Sequence, residues 1–312
     1  MNSGITISII APIYGVEQYI TEFADSVLSQ SYPHIQFIFV NDGTKDRSIE
    51  LLNAIIDDKY NHLRDKIVII NKPNGGLPAA RKTGLEYATG DYVYHVDSDD
   101  WISPNSIAKI VAKIEATNAD VIYFNFIKEY PSKSKPKQER LYTSDDRQQY
   151  IRNMYNHRSY ASVCNKCFRR ALYLDNTIYT PKYGYAEDCY VTTQLIGYAK
   201  SIAYLNEYIY HYRKGNPNAL TGQKIRKRKR EYALNFLELC EKYSNVDVKH
   251  NPIAPIVDDI VLQAGWYSLL YNLKLFESHT WLAKHIRRAK IRRDSNLLLA
   301  SQLITKIYAL FK

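Results

Sequence analysis

Cysteine is scarce: the 312 residues hold four, at positions 164, 167, 189 and 240. They are too few and too irregularly spaced for a disulfide framework, which excludes a small secreted scaffold and agrees with a reducing compartment. Cys164 and Cys167 have CxxC spacing. No second such pair and no histidine pair follows at finger-like spacing, so zinc stands beside a favoured reading of two small buried thiols. Long apolar runs are also missing, because no charge-free stretch reaches 18 residues. The N-terminus, MNSGITISII, lacks the basic n-region and cleavage site of a secretion signal. These features read as a cytoplasmic protein. Neither GxxxxGK[ST] nor GxGxxG occurs, so a phosphate-bearing ligand would be neutralised by a metal and by isolated basic residues such as Arg81 and Lys82.

What is present is enough for a full core, with 46% hydrophobic residues. The net charge of +10 is unevenly placed: residues 201–312 hold 19 Lys or Arg against 9 Asp or Glu, while the preceding 200 residues hold 23 of each. A basic last third on a neutral body calls for an anionic partner, whether phospholipid headgroups, a phosphorylated acceptor or nucleic acid. The runs Lys224–Arg230 and Lys284–Arg293 lie beside apolar-patterned helices. Such clusters suit peripheral contact with an anionic membrane surface, worth ~1 kcal/mol per Lys or Arg, and equally a solvated helix face packed on the body. Nucleic acid is disfavoured, because these runs lack interleaved aromatics for base stacking.

The first hundred residues alternate between short apolar runs and amphipathic segments. Strands are expected at Ile5–Ile10, Ile35–Val40, Ile67–Ile70 and Tyr92–Val96. Helices are expected from Val16 to Leu28, from Asp46 to Lys59, and from a first turn at Pro78 to a stop at Gly90. This order predicts a doubly wound α/β sheet, in which ligands bind beyond the carboxyl ends of the strands. Polar, Gly and Pro residues gather at all four ends: Ala11-Pro12-Ile13-Tyr14, Asn41-Asp42-Gly43, Asn74-Gly75-Gly76 and Asp97-Ser98-Asp99-Asp100. Further on, Ala119–Phe126 reads as a strand, Pro131–Arg140 as a mobile loop, 187–198 as a helix and Tyr204–Arg213 as one or two strands. From Gln223 the pattern is helical.

In an extended backbone Asp97 and Asp99 point to the same side. Two adjacent carboxylates suit Mg²⁺ or Mn²⁺, which typically take one or two carboxylates plus diphosphate oxygens. The plainer alternative is a cap and turn before the helix that Ser103-Pro104 opens.

Taken in order, Pro12-x-Tyr14, Val40-Asn41-Asp42-Gly43-x-x-Asp46, Asn74-x-Gly76 with Ala80-Arg81, Ala88-x-Gly90-Asp91-Tyr92, Asp97-Ser98-Asp99-Asp100 and Glu187-Asp188 resemble the motifs of family 2 inverting glycosyltransferases. The resemblance covers about residues 5–215. It implies a GT-A type, Rossmann-like doubly wound mixed sheet over residues 1–215, with a nucleotide-sugar half (about 1–100) and an acceptor half (about 101–215). A basic helical C-terminal extension would occupy 216–312. It further implies that Ala11, Pro12, Ile13, Tyr14 and Glu17 line the nucleoside and that Asp42 accepts a hydrogen bond from the base, most often uracil. Asn74 and Gly76 would contact the donor, and Arg81 would lie near the diphosphate. Asp97 and Ser98 would meet the donor's hydroxyls, Asp99 would ligate Mn²⁺ or Mg²⁺, and Asp100 would face the reacting sugar. Asp188 would be the general base, with Glu187 supporting it. His211, where the family often carries a closing-loop Tyr-Arg or His, reads as a metal ligand, a phosphate contact or a packed histidine.

Gly15 and Lys82 depart from the family pattern, which often has Asn at both places. The implied activity is transfer of a sugar from a nucleotide-sugar donor, UDP-linked by expectation, to a hydroxyl of a glycan or lipid-linked glycan at the inner face of the membrane. A nucleotidyltransferase on a related sheet and an anion-binding protein without catalysis are the alternatives.

Overall fold

The first apolar run folds as β1 (Ile7–Ile13), every residue of which is buried. It lies parallel between β2 (Ile35–Asn41) and β4 (Tyr92–His95), and β2 is flanked in turn by parallel β3 (Ile67–Asn71). Alternation along the strands divides the apolar residues between two faces. Ile7, Ile9, Ala11, Phe37 and Phe39 join the core formed with α1 (Ile20–Leu28) and α2 (Ser48–Lys59), while Ile10, Ile38, Val40 and Val93 pack against α3 (Leu77–Glu86). Helices on both faces make this half doubly wound, as the element order predicts. A computed structural model describes residues 4–155, 158–182, 184–216, 224–243, 246 and 251–257.

Beyond β4 the sheet turns mixed. β8 (Lys166–Arg169) runs antiparallel to β4 and to β6 (Val121–Tyr130), β6 pairs in parallel with β9 (Ile202–Arg213), and β5 (Trp101–Ile102) closes the edge against β9. The order is β3-β2-β1-β4-β8-β6-β9-β5, with β7 (Lys133–Lys137) forming a hairpin on β6. That hairpin corrects the expected mobile loop at 131–140. β7 carries no apolar side chain to reveal a strand, and its pairing comes from β6.

Among the remaining helices, α4 (Ser106–Thr117) follows β5, α5 (Arg147–Tyr155) and α6 (Ala171–Leu174) flank β8, and α7 (Glu187–Tyr198) precedes β9. The basic run 224–230 opens α8 (Ile225–Lys242), whose Phe236 ring meets Tyr155 of α5 and Tyr190 of α7. The start of the C-terminal region is therefore packed on the body, with Lys224, Ile225, Arg226, Lys227 and Arg230 exposed. The second basic run and the apolar stretch Leu297–Phe311 lie outside the described residues. Among the described residues no helix is long and apolar enough to cross a membrane.

Candidate active site

The carboxyl ends of β1, β2 and β4 open into a cleft of about 700 Å³, walled on the far side by Tyr160–Ser162 and by the start of α7. The loops at its floor are held by the acids of the second strand end. Asp42 is buried; its Oδ1 accepts from Lys72 Nζ at 2.5 Å and Gly75 N–H at 2.9 Å, and its Oδ2 accepts from Gly76 N–H at 2.8 Å. Three of its roughly four lone-pair positions are thus filled by the third strand-end loop, where the expectation was a contact to a base. Gly76 has a φ of 83°, a conformation favouring glycine, and it leads into α3. Asp46, with Thr44 and Ser48, grips the first loop: Gly15 N–H donates to Thr44 Oγ1, Val16 N–H to Ser48 Oγ and Glu17 N–H to Asp46.

The first strand end differs in part from expectation. β1 continues three residues past Ile10, so Ala11 and Ile13 point into the hydrophobic core, while Pro12 and Tyr14 line the cleft. Glu17 turns to the N-terminus of α2, where it accepts from Arg47 N–H, and it does not line the cleft.

Arg81 organises the centre. It lies one turn into α3, is 6% exposed, and its guanidinium reaches Asp97 Oδ1 at 2.6 Å, Asp188 Oδ1 at 2.6 Å, and Glu187. A diphosphate contact was expected of Arg81; instead the guanidinium joins the acid cluster after β4 to the acid pair that opens α7. Burial pushes the Asp188 carboxyl up, but the Arg81 guanidinium, the Glu187 hydrogen bond and Lys166 together draw it below its ordinary value. Glu187 goes the other way: burial raises it well above its ordinary value, only partly offset by Arg81, and its side chain is hydrogen-bonded to Asp188. The two adjacent carboxyls are pushed in opposite directions, which favours the ionised form at Asp188 and the protonated form at Glu187.

The other acids after β4 divide their duties. Ser98 Oγ donates to the Pro12 carbonyl and ties two strand ends together. Asp100, expected to face a sugar, is 1% exposed at the margin of the cleft, and both its oxygens are engaged by β9: Tyr210 Oη donates at 2.5 Å and Arg213 N–H at 2.7 Å. Asp99 accepts from Asn216 Nδ2 at 2.8 Å, and burial, then the Asp97 carboxylate, pushes it above its ordinary value. An acid so placed is electrostatically undercompensated, and it fits Mg²⁺ or Mn²⁺ as a carboxylate donor alongside a diphosphate. Among the described residues no cluster of three or more His, Cys, Asp or Glu is disposed to hold a metal.

His211 does not complete such a site. Its Nδ1 lies 2.8 Å from Glu129, its Nε2 lies 3.0 Å from Ser103 Oγ, and its ring stacks on Trp101. Both nitrogens are engaged, and His211 does not line the cleft. All four cysteines are buried free thiols, and Cys164 Sγ lies 3.4 Å from Asp97. Sequence reasoning missed Tyr210, Arg213 and Asn216, which clasp the acidic loop from β9. Arg213 stacks over Tyr19 and Trp101 and donates to the Asp99 carbonyl; the Tyr-Arg pair at 212–213 was its only local signal.

Comparison with known proteins bears on the family and the fold. The chain is 33% identical over 221 residues to the uncharacterized glycosyltransferase EpsJ of Bacillus subtilis (strain 168), covering 69% of this chain and 62% of EpsJ. It is 29% identical over 209 residues to the poly(ribitol-phosphate) beta-N-acetylglucosaminyltransferase TarS of Staphylococcus aureus (strain Mu50), covering 66% of this chain and 35% of TarS. The chain therefore spans under two thirds of either relative.

Among solved structures, S. aureus TarS 1–349 in complex with UDP-GlcNAc superposes with a TM-score of 0.64 at 19% identity, over 99% of this chain and 93% of that one. The mannosyltransferase PcManGT from Pyrobaculum calidifontis, in complex with GDP-Man and Mn²⁺, reaches 0.56 at 14% identity, over 99% and 86%. These likenesses bear on the fold and match the GT-A type architecture implied by the motif order. A model of the family described as glycosyl transferase family 2 matches residues 8–175, more than half of the sequence. The chain belongs to glycosyl transferase family 2.

Proposed function

We propose that this protein transfers a sugar from a UDP-sugar to a hydroxyl of a glycan or lipid-linked glycan in cell-surface polysaccharide synthesis, with inversion at the anomeric carbon. The observation that carries the reading is the cleft itself. An acid cluster at the end of β4 faces an ionised Asp188 across Arg81, so that leaving group and attacking hydroxyl have separate acids. In this reading Pro12 and Tyr14 flank the uridine, Asp97 meets the donor's hydroxyls and Asp188 takes the acceptor's proton. Asp99 is the protein ligand for Mn²⁺ or Mg²⁺; when bound, the metal offsets the charge that develops on the departing diphosphate. The TarS complexes with UDP-GlcNAc and with UDP support a uridine donor.

Thermal shift tests it. UDP with Mn²⁺ is expected to raise the midpoint more than GDP with Mn²⁺, and Asp99→Ala to remove the metal-dependent part of the UDP shift. Preference for GDP would overturn the donor assignment. Diphosphate release from a nucleoside triphosphate would favour the nucleotidyltransferase reading.

The exposed basic start of α8 supports peripheral binding at the inner membrane face. At low salt the protein is expected to float with phosphatidylglycerol vesicles and to be released as salt screens the contact. A chain that stays unbound at low salt removes this part of the reading.

A further inference from the structure

The strands β7, β6 and β9 lie side by side, with Lys135 opposite Lys128 and Lys128 opposite Tyr212; one step along, Lys137 faces Phe126 and Phe126 faces Tyr210. Directly opposed residues, and residues two apart on one strand, share a face. That face therefore carries Lys133, Lys135 and Lys137 from β7, Lys128 from β6, and Tyr210 and Tyr212 from β9. Lys214 follows, its Nζ 4.2 Å from the centre of the Tyr212 ring, and Lys128 Nζ stands 6.0 Å from that of Phe126. The carboxylate of this ribbon, Glu129, lies on the other face with His211 and Ser134. Phe126, Lys128, Tyr210 and Tyr212 all line the cleft.

Edge protection accounts for only part of this pattern. Lysines on an exposed edge strand such as β7 deter pairing with other chains. Lys128 belongs to β6, between two neighbours, and Lys214 lies beyond the end of β9. Both are partly buried and, among the described residues, neither forms an ion pair with a carboxylate; Asp100 acts on Lys214 only at longer range. Burial, then Lys214 and Lys137, pushes the Lys128 ammonium below its ordinary value. Like charges crowded on one face of a ribbon, with its carboxylate turned to the other face, raise the local concentration of anions and pair with them. The partly exposed Tyr212 ring among these lysines offers an apolar surface for carbohydrate or polyol carbons.

We propose that this face is the acceptor subsite and that the acceptor is a phosphodiester-bearing glycan or polyol polymer, its phosphates paired with Lys128 and Lys214 and its carbons laid against Tyr212. The inference rests on the sugar-transfer reading and names the class of acceptor within it.

The test uses the full chain and a fluorescently labelled 1,3-linked glycerol phosphate hexamer, followed by anisotropy, with the UDP thermal shift measured on the same preparation. The hexamer is expected to bind in a salt-sensitive manner, and neutral maltohexaose not to displace it. Lys128→Gln combined with Lys214→Gln is expected to weaken hexamer binding about tenfold or more, the order expected for two lost charge-assisted contacts. The UDP shift stays as in the unsubstituted protein, and Lys128→Arg keeps hexamer affinity. Equal hexamer binding by the double variant, or equal competition by maltohexaose, overturns the proposal. So does stronger competition, per phosphate, from a single-stranded oligodeoxynucleotide or phosphatidylglycerol vesicles, which would give the face to nucleic acid or lipid. Absence of a UDP shift would sink the transferase reading; a UDP shift without hexamer binding sinks the acceptor inference alone.

Discussion

Asp188→Asn is expected to lower kcat by about 10²–10⁴-fold, the range for losing a general base, while leaving UDP binding nearly unchanged. Asn has the same shape, and its carbonyl oxygen still accepts from Arg81 Nη1, which lies 2.6 Å from Asp188 Oδ1, so the fold of the cleft survives. The proton acceptor is what disappears. Glu187→Gln is the control. Burial favours the protonated form of Glu187, and a Gln amide keeps a donor toward Asp188 and an oxygen toward Arg81, so a loss below about tenfold is expected. Single-turnover and steady-state rates with one UDP-sugar and one acceptor, beside thermal shifts with UDP, separate the two substitutions. Larger loss in Glu187→Gln, or equal loss of UDP binding in both, would show the base wrongly assigned. The pH profile gives a second sign. The base must be ionised, and Arg81 holds Asp188 below its ordinary value, so the acid limb of kcat is expected below the usual range of about 4.

The central elements are legible in the sequence because their physics is local. β1, β2 and β4 are covered by other elements, so their apolar runs are nearly unbroken, and Pro78 and the acids near 46 mark helix starts directly. Twelve of the sixteen expected site residues line one cleft, Asp42, Arg81, Asp97, Asp99 and Asp188 among them. Their partners are much less legible. Arg81 is 16 residues from Asp97 and 107 from Asp188, and nothing in a linear pattern says that one guanidinium will serve both. Asp100 and His211 look like functional groups by residue type, yet β9 and β5 engage them across separations of about a hundred residues. β7 is silent for another reason: its side chains carry no apolar periodicity, and only pairing with β6 makes it a strand.

The same buried guanidinium carries the largest expected effect on stability. Removing one partner of a buried charge cluster costs about 3–5 kcal/mol, because the remaining charges stay desolvated and unpaired. Asp97 and Asp188 are 29% and 30% exposed at their side chains, so solvent relieves part of this for Arg81→Met. The lower end, about 3 kcal/mol, corresponds to a Tm fall of roughly 10 °C at ~2–4 °C per kcal/mol for a domain of this size. The loss is expected to depend on pH with a definite sign. With Arg81 present, the depressed Asp188 contributes stability above its unfolded value near 4 and loses it as pH falls through the lower folded value. Without Arg81 burial is opposed only by the Glu187 hydrogen bond and Lys166, so the folded value rises and that contribution above about pH 4 is cut back. The gap in Tm between the two proteins is therefore expected to be widest near pH 7–8 and to close only as pH falls below about 4, through the depressed Asp188 value. Arg81→Lys, which keeps the charge but lacks a fork to reach three carboxyls, is expected to fall between them. A gap that is constant with pH would mean that Arg81 acts by packing. In Arg81→Met protein that remains folded, the acid limb of kcat should move to higher pH along with Asp188, tying the stability of the cleft and the strength of its proposed base to one side chain.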